Sequence, residues 1–174
     1  HSDLTDEYAA VRKEMESVAE YLGKSVLREV DEDEFMKNIA DIRSSCGDRA
    51  VLRAMHFYGD NARVEKQAAA LKAGDFETFK KYIIESGRSS YMYNQNVYSC
   101  KKASEQPVSL ALSLSEKLLD GCGAWRVHGG GFAGTIQAFV PLNKLDEYKD
   151  LMEKVFGSGS CYILSVRPVG GVEL

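Results

Sequence analysis

Residues 123–135 read GAWRVHGGGFAGT, and this stretch decides the fold of the last third of the chain. Within positions 129–134, 4 of the 6 residues are glycine. Glycine loses more backbone entropy on folding than alanine does, so it is favoured where φ must be positive or where another group approaches the backbone closely. Residues 135–140 alternate between apolar and polar, which is the period of a strand. We therefore predict a strand, a glycine turn and a second strand.

The glycine cluster matches two well-known phosphate-binding patterns only in part. Gly129, Gly131 and Gly134 satisfy the pattern GxGxxG, but a dinucleotide-binding fingerprint also needs a helix directly after the turn. The strand period of residues 135–140 excludes that interpretation. No Gly-Lys-Ser/Thr follows, which excludes a Walker A loop. The residues alone leave two interpretations open: a tight hairpin, or a turn whose successive N–H groups face an anion.

Most of the chain before this stretch has the apolar period of helices. We expect Thr5 to cap the first helix and Gly23 to end it. The acidic run Glu29–Glu34 is expected to face water and to cap one helix that reaches Gly47. The apolar face of that helix is predicted to contain Phe35, Ile39 and Ile42. Further helices are predicted to begin at Asp48, Asp75 and Pro107.

The remaining segments complete the predicted fold. Residues 87–107 are rich in Ser, Tyr and Asn and predict loops with a short helix. A last helix is expected to be capped by Asn143 and closed by Gly157. Residues 161–166 are rich in β-formers and predict a final strand, which Pro168 would end. Without repeats or linkers, residues 1–174 are predicted to form a single α+β domain.

Composition excludes several classes of function. The net charge is −4 and the densest charge run is acidic, whereas nucleic-acid-binding proteins usually carry a basic patch. No apolar run reaches the roughly 20 residues of a membrane span, and residues 1–6 lack the pattern of a signal peptide. The 4 cysteines and 3 histidines are isolated, which is poor spacing for zinc or disulfides. We expect a cytoplasmic protein with reduced thiols and no nucleic-acid or membrane partner.

The stretch 123–135 resembles the third conserved motif of the GHMP kinases. Galactokinases have this motif as a Gly-x-Arg-Met-Thr-Gly-Gly-Gly-Phe-Gly-Gly pattern. This chain departs from the pattern with Trp125, with Val127-His128 in place of Met-Thr, and with Ala133 in place of a glycine. This spelling is similar to that of a galactokinase branch from Gram-positive bacteria.

The resemblance to galactokinases runs along nearly the whole chain. Residues 53–64, with RAMH followed by NARV, resemble the helix before the family's Gly-Asp segment, which is Gly74-Asp75 here. Residues 85–100 resemble the family's Glu-Ser…Tyr…Val-Ser-Cys stretch. Residues 2–8 resemble the family's His-Ser…Glu-Tyr junction, which leads into the first helix of the C-terminal domain.

Galactokinases transfer the γ-phosphoryl group of Mg-ATP to the anomeric hydroxyl of galactose. The resemblance implies the GHMP kinase C-terminal domain: a ferredoxin-like, mostly antiparallel sheet covered by helices, here with extra helices at its N-terminal side. In the family, the phosphate loop and the catalytic aspartate lie in the N-terminal domain, and residues 1–174 contain no counterpart of either. The implied ligands of the full-length protein are galactose, ATP and Mg²⁺, and the implied partner is its own N-terminal domain. This chain alone is expected to be inactive, with no catalytic residue, no metal ligand and no tightly bound cofactor.

The resemblance implies two groups of site residues. Tyr8 matches a tyrosine that contacts the sugar, although the residues alone favour a packing role for it at the start of its helix. The glycine turn is expected beside the nucleotide phosphates, where it allows close approach and transfers no proton. This turn comprises Gly129, Gly130, Gly131, Phe132, Ala133 and Gly134. His128 is given no catalytic role, and Trp125 and Arg126 are interpreted as structural.

Three functions remain compatible with the sequence. The first is the C-terminal half of a galactokinase. The second is another GHMP sugar kinase, for example one for N-acetylgalactosamine, because the residues that choose the sugar lie largely in the N-terminal domain. The third is a galactokinase-like protein that senses sugar and ATP without catalysis.

Overall fold

The structure is a computed structural model that describes residues 4–132 and 134–166. The chain divides into two compact units, His1–Phe139 and Val140–Leu174. Among the described residues, the larger unit is mostly helical and ends in a β-hairpin, and the smaller unit is built on one long helix.

Six α-helices and a hairpin make up the described part of the larger unit. The helices are α1 (Thr5–Tyr21), α2 (Glu32–Lys37), α3 (Ile39–Cys46), α4 (Asp48–Lys72), α5 (Phe76–Ser89) and α6 (Pro107–Leu119). A π-turn at Ser90–Asn94 continues α5, and short 3-10 turns lie at Leu27–Glu29 and Cys100–Lys102. The strands are β1 (Ala124–His128) and β2 (Thr135–Phe139).

Most predicted helix boundaries are confirmed. Asp31 Oδ1 accepts a hydrogen bond from Asp33 N at 2.9 Å, so the acidic run does cap a helix. Asp75 Oδ1 caps α5 by accepting from Thr78 N at 3.0 Å, and Pro107 is the first residue of α6. Thr5 and Asp48 are instead the first residues of their helices, because Leu4 and Gly47 take the N-cap positions.

The predicted single helix through Phe35 and Ile42 is wrong, because the structure breaks it at Asn38. Asn38 has φ −102° and ψ 10°, and it ends α2 and precedes α3. Its side-chain Nδ2 donates to Glu34 O at 2.8 Å. Such a side-chain bond to the backbone competes with the helical ladder, and it allows the chain to change direction there. Both apolar residues are nevertheless 0% exposed, since each short helix turns one face to the same core.

Helices α1 to α4 surround one apolar core. Its members include Val18 of α1, Phe35 of α2, Ile42 of α3 and Ala54 of α4, all fully buried. Tyr58 of α4 packs against Phe35 with ring centroids 5.4 Å apart. Full burial of a large apolar side chain stabilises a fold by about 1.5–3 kcal/mol. This core therefore fixes α1, and with it the position of Tyr8.

The hairpin confirms the strand–turn–strand prediction. Strands β1 and β2 pair antiparallel, with Ala124 opposite Phe139 and His128 opposite Thr135. In β2, Phe139 contacts Phe79 of α5 edge to face, with ring centroids 5.4 Å apart. In β1, Val127 is buried with Val97 and with Val108 of α6. Helices α5 and α6 therefore hold the hairpin, and the hairpin holds the turn at its tip.

The smaller unit corrects two sequence predictions. Its helix α7 (Leu145–Phe156) follows a 3-10 turn at Leu142–Lys144, so Asn143 lies in that turn and does not cap the helix. Gly157 follows α7, as predicted. Residues 161–166 form no strand, because among the described residues no strand pairs with them. A strand is stabilised by packing against its neighbours, whereas Leu164 is 87% exposed. The expected end at Pro168 lies outside the described residues.

The described residues are thus mostly helical with a small two-stranded antiparallel sheet, which agrees with the α+β prediction in its coarse form. Within those residues, no helix combines the length and the apolar character needed to cross a membrane.

Candidate functional site

The glycine turn joins β1 to β2, and three of its described residues have positive φ. Gly129 has φ 63°, Gly131 has φ 80°, and Phe132 has φ 53°. A positive φ is uncommon for a bulky residue such as Phe and is retained only where the surroundings fix it. Gly130 does not have positive φ, so a glycine is needed at this position for another reason. Ala133 lies outside the described residues.

Tyr8 reaches this turn from a position 123 residues earlier in the chain. Its hydroxyl donates a hydrogen bond to Gly131 O at 3.0 Å. Its ring meets Phe132 edge to face, with centroids 5.2 Å apart and planes at 86°. A Cβ on Gly130 would lie 2.7 Å from Tyr8 Cε1. The requirement at Gly130 is therefore close approach of the Tyr8 ring, and the structure brings together the two groups of residues that the sequence singled out.

A third residue, Asn96, makes two hydrogen bonds with the backbone of the turn. Its backbone O accepts from Phe132 N at 2.6 Å, and its side-chain Nδ2 donates to Gly130 O at 3.2 Å. The sequence does not single out Asn96, which lies in the polar stretch 87–107 that predicts loops with a short helix. Buried and exposed polar residues alternate in this stretch, since Asn94 and Ser99 are buried and Gln95 is exposed, so burial of an asparagine has no signal of its own in the sequence.

The backbone of the turn is partly used for its own structure. Phe132 N donates to Asn96 O, and Gly134 N donates to Gly131 O at 2.8 Å. These two N–H groups are therefore not directed at an anion. Any anion would have to bind at the beginning of the turn, near Gly129. There, a Cβ on Gly129 would meet no described atom within 4 Å, so this side of the turn is open.

A cavity of about 480 Å³ lies between α1, the turn at Leu27–Glu29 and the glycine turn. This volume is typical of a small-molecule site. Its apolar wall is formed by Val11, Met15, Leu27 and Phe57. Its polar wall is formed by Tyr8, Asn94, Asn96, Gly129 and Gly130. Arg12, Glu16 and Arg28 supply charge to the lining, and Arg12 Nε lies 2.6 Å from Glu16 Oε1.

A charged cluster behind the polar wall ties α1 to α4. Arg53 is 0% exposed, donates from Nε to Asn94 O at 3.0 Å and from an Nη atom to Glu14 Oε2 at 2.8 Å. Arg49 also binds Glu14, with its closest contact at 2.6 Å. Burial lowers the pKa of Arg53, and the Glu14 carboxylate opposes that shift. The cluster fixes Asn94, two residues before Asn96, so its effect on the site is structural.

A second polar network connects α4, α5 and β1. His56 Nδ1 lies 2.9 Å from Ser89 Oγ, and His56 Nε2 lies 3.7 Å from Asp60 Oδ2. Ser86 Oγ donates to Asp60 Oδ1 at 2.6 Å and accepts from Arg126 at 2.7 Å. The Ser–His–Asp order resembles a nucleophilic triad, but Ser89 is 3% exposed and His56 8%, so a substrate has no access.

Strand β1 contains the three residues that the sequence left without a catalytic role. Arg126 binds Ser86 and lies 4.0 Å from Asp60 Oδ2, and Trp125 is 7% exposed in β1. His128 is exposed at the end of β1. Among the described residues, no group of three or more His, Cys, Asp or Glu could hold a metal ion.

Comparison with known proteins finds similarity to galactokinases. The chain is 32% identical to the galactokinase of Homo sapiens over 174 residues, which is 100% of this chain and 41% of that protein. It is 31% identical to the galactokinase of Bos taurus over 164 residues, 94% of this chain and 39% of that protein. It is 26% identical to the galactokinase of Mannheimia succiniciproducens over 152 residues, 87% of this chain and 37% of that protein. No family model matches the chain.

These similarities support a galactokinase-like relationship along the whole chain. The chain spans about two fifths of the length of the curated relatives it matches. It is therefore similar to one part of a longer protein.

Proposed function

We propose that this chain is the C-terminal domain of a galactokinase, which transfers the γ-phosphoryl group of Mg-ATP to the anomeric hydroxyl of galactose. The observation that carries the proposal is the meeting of Tyr8 and the glycine turn at one cavity. It is supported by the similarity to galactokinases over the full length of the chain.

In this proposal, the chain positions substrates and does not carry the chemistry. Mg-ATP supplies the phosphoryl group, and phosphoryl transfer depends mainly on positioning and charge neutralisation. The open side of the turn at Gly129 fits a surface that phosphates or a facing loop could approach closely. In this proposal, the Tyr8 hydroxyl, which donates to Gly131 O at the polar wall of the cavity, contacts the sugar. The phosphate loop and the catalytic aspartate are expected in the N-terminal domain of the parent protein.

We extend the proposal to the fold of the parent protein. Residues 1–174 form one domain whose hairpin β1–β2 belongs to a ferredoxin-like, mostly antiparallel sheet covered by helices. The antiparallel register of the hairpin supports this. So does the tight packing of α5 on it, since a Cβ on Gly87 would lie 3.0 Å from Arg126 Cβ. The cytoplasmic location and the Gram-positive branch stay predictions.

A sugar panel tests the proposed activity. ADP release is measured with Mg-ATP and either galactose, N-acetylgalactosamine or glucose, for the full-length parent protein and for this chain alone. The parent should prefer galactose, and this chain alone should show no turnover. Preference for N-acetylgalactosamine would indicate a different sugar kinase, and sugar binding without turnover would indicate a sensor. Turnover of about 1–100 per second by this chain alone, the usual range for kinases, would contradict its predicted inactivity.

A further inference from the structure

We infer that Asn96 is a positioning residue that, together with Tyr8, holds the glycine turn in the shape required at the site. The expected effect of Asn96 on catalysis rests on the proposed function. Asn96 itself contacts no substrate in this inference and acts only by holding the turn.

Asn96 contacts three successive residues of the turn, Gly130 to Phe132. Its backbone O accepts from Phe132 N at 2.6 Å, and its Nδ2 donates to Gly130 O at 3.2 Å. The approach is so close that a Cβ on Gly131 would lie 1.9 Å from Asn96 O. The turn therefore follows the backbone of Asn96, and Gly131 is needed for this contact as well as for its positive φ.

Tyr8 contacts the same three turn residues through a different set of atoms. Its hydroxyl bonds Gly131 O, its ring edge lies against Gly130, and its ring meets Phe132. The carbonyls of two successive residues, Gly130 and Gly131, are thus each held by a different side chain. Two consecutive carbonyls with separate donors leave the turn little freedom to rotate its peptide planes.

The side-chain amide of Asn96 donates to the turn although its own oxygen is buried without a hydrogen bond among the described residues. Asn96 is 4% exposed, and its Oδ1 has no hydrogen-bond partner among the described residues. An unpaired buried acceptor is unfavourable. Reversing the amide would place Oδ1 against Gly130 O, where two acceptors would repel. The retained orientation is the one that donates to the turn, and it explains why an amide is found here.

The fixed turn also accounts for the strained residue at its centre. Phe132 has positive φ and is 3% exposed. Its N–H is held by Asn96 and its ring by Tyr8. Removal of the Asn96 side chain would leave Gly130 O without this donor, and the strained conformation would lose one of its supports.

The test compares Asn96→Ala with Asn38→Ala in the full-length parent protein. Asn38 is a matched control, because its Nδ2 also donates to a backbone carbonyl but far from the turn in sequence and in an exposed position. Hydrogen exchange of a peptide covering residues 124–136 reports the turn directly. Asn96→Ala should speed its exchange about 2- to 12-fold, the range given by loss of one net hydrogen bond. Asn38→Ala should leave it unchanged.

A double-mutant cycle with Tyr8→Phe provides the second measurement. If both side chains hold one turn, their effects on exchange should be non-additive. Exchange unchanged in Asn96→Ala, or strictly additive effects, would overturn the inference. Should Asn96→Ala not yield folded protein, Asn96→Ser, which keeps a short donor, is measured in the same way against the same criteria.

Kinetics separate this inference from the proposed function. In Asn96→Ala, kcat should fall while the KM for galactose stays near its normal value, because Asn96 does not touch the sugar. A purely structural role would lower the melting temperature without this split. Faster exchange with unchanged kcat would confirm that Asn96 holds the turn but would contradict a role of the turn in phosphoryl transfer. If the parent protein has no kinase activity but exchange is faster in Asn96→Ala, the role of Asn96 in holding the turn is retained and only the proposed function is overturned.

Discussion

Gly130 lies against the ring of Tyr8, so that a Cβ there would come within 2.7 Å of Tyr8 Cε1. Gly130→Val in the full-length parent should therefore displace the Tyr8 ring or the turn. A displacement of about 1 Å at a site that depends on positioning can lower turnover by about 100-fold. We expect kcat to fall by about that factor while the protein stays folded, as measured by steady-state kinetics and thermal melting.

The control for this change is Gly23→Val. Gly23 has φ 73° with no described atom within 4 Å of a Cβ, so a side chain there strains the backbone without meeting a neighbour. It should lower stability and leave kcat unchanged. Near-normal kcat and KM in folded Gly130→Val would reduce the glycine cluster to a plain hairpin.

Tyr8 has a hydroxyl that donates to Gly131 O and a ring that packs on Phe132. Tyr8→Phe keeps the ring contact and removes the hydroxyl. The variant also loses the proposed contact of the Tyr8 hydroxyl with the sugar. Loss of one neutral hydrogen bond to galactose, worth about 0.5–1.5 kcal/mol, should raise the KM for galactose about 2- to 12-fold. The KM for ATP should rise less. Steady-state kinetics with each substrate varied in turn measures both constants.

A melting curve of the same Tyr8→Phe variant distinguishes sugar contact from packing. If Tyr8 only supports the turn, the melting temperature should drop and both Michaelis constants should stay intact. That result would remove Tyr8 from the sugar site and leave it as a structural partner of Asn96.

Helices α4 and α5 are joined by the buried pair His56 and Ser89. Burial lowers the pKa of His56 below its usual 6.5, and Arg63 and Arg126 add to this, while Asp60 opposes it. The folded state therefore favours neutral His56. This stability is present above pH 6.5 and is lost as the pH falls below 6.5, because the unfolded chain then binds a proton that the folded chain does not.

His56→Gln should remove this part of the pH dependence. Melting temperatures measured between pH 7.5 and pH 5, roughly the range in which histidine titrates, should fall less steeply for His56→Gln than for the unchanged chain. His128→Gln serves as the control, because His128 is exposed at the end of β1. Equal slopes for the unchanged chain and for His56→Gln would show that His56 does not contribute.

The elements that the sequence predicts best are those whose signal is local. The β1–turn–β2 unit follows from alternation and glycine density within residues 123–140, and the cap at Asp75 follows from one side chain and the backbone beside it. The break at Asn38 was not predicted, because the apolar spacing of Phe35 and Ile42 is the same whether one helix or two carry it. The strand predicted at residues 161–166 failed because strand formation depends on a pairing partner elsewhere in the chain.

The candidate site could be predicted only in part for the same reason. Tyr8 and the turn came from a family resemblance, and their contact across 123 residues came from the structure. The sequence allows either positive φ or close approach as the requirement at Gly130, and the structure shows the close approach of the Tyr8 ring. Asn96 carries no pattern, because its importance comes from burial and two hydrogen bonds to distant backbone atoms.

The two compact units of the chain allow a test of the single-domain prediction. Small domains under about 150 residues usually unfold in one cooperative step, whereas separate domains can give separate transitions. We expect this 174-residue chain, produced alone, to unfold in a single cooperative transition. Differential scanning calorimetry should give a calorimetric enthalpy equal to the van't Hoff enthalpy.

A chain cut after Phe139 provides the comparison for this experiment. If residues 1–174 form one domain, removal of residues 140–174 should lower the melting temperature of the rest, because the two parts then share one folding equilibrium. If the units are independent, the shortened chain should melt as the corresponding part of the whole chain does. A chain without any cooperative transition would show that folding depends on the remainder of the parent protein. Circular dichroism at 222 nm, a conventional wavelength for helix, would follow the loss of α1 to α6 in both chains.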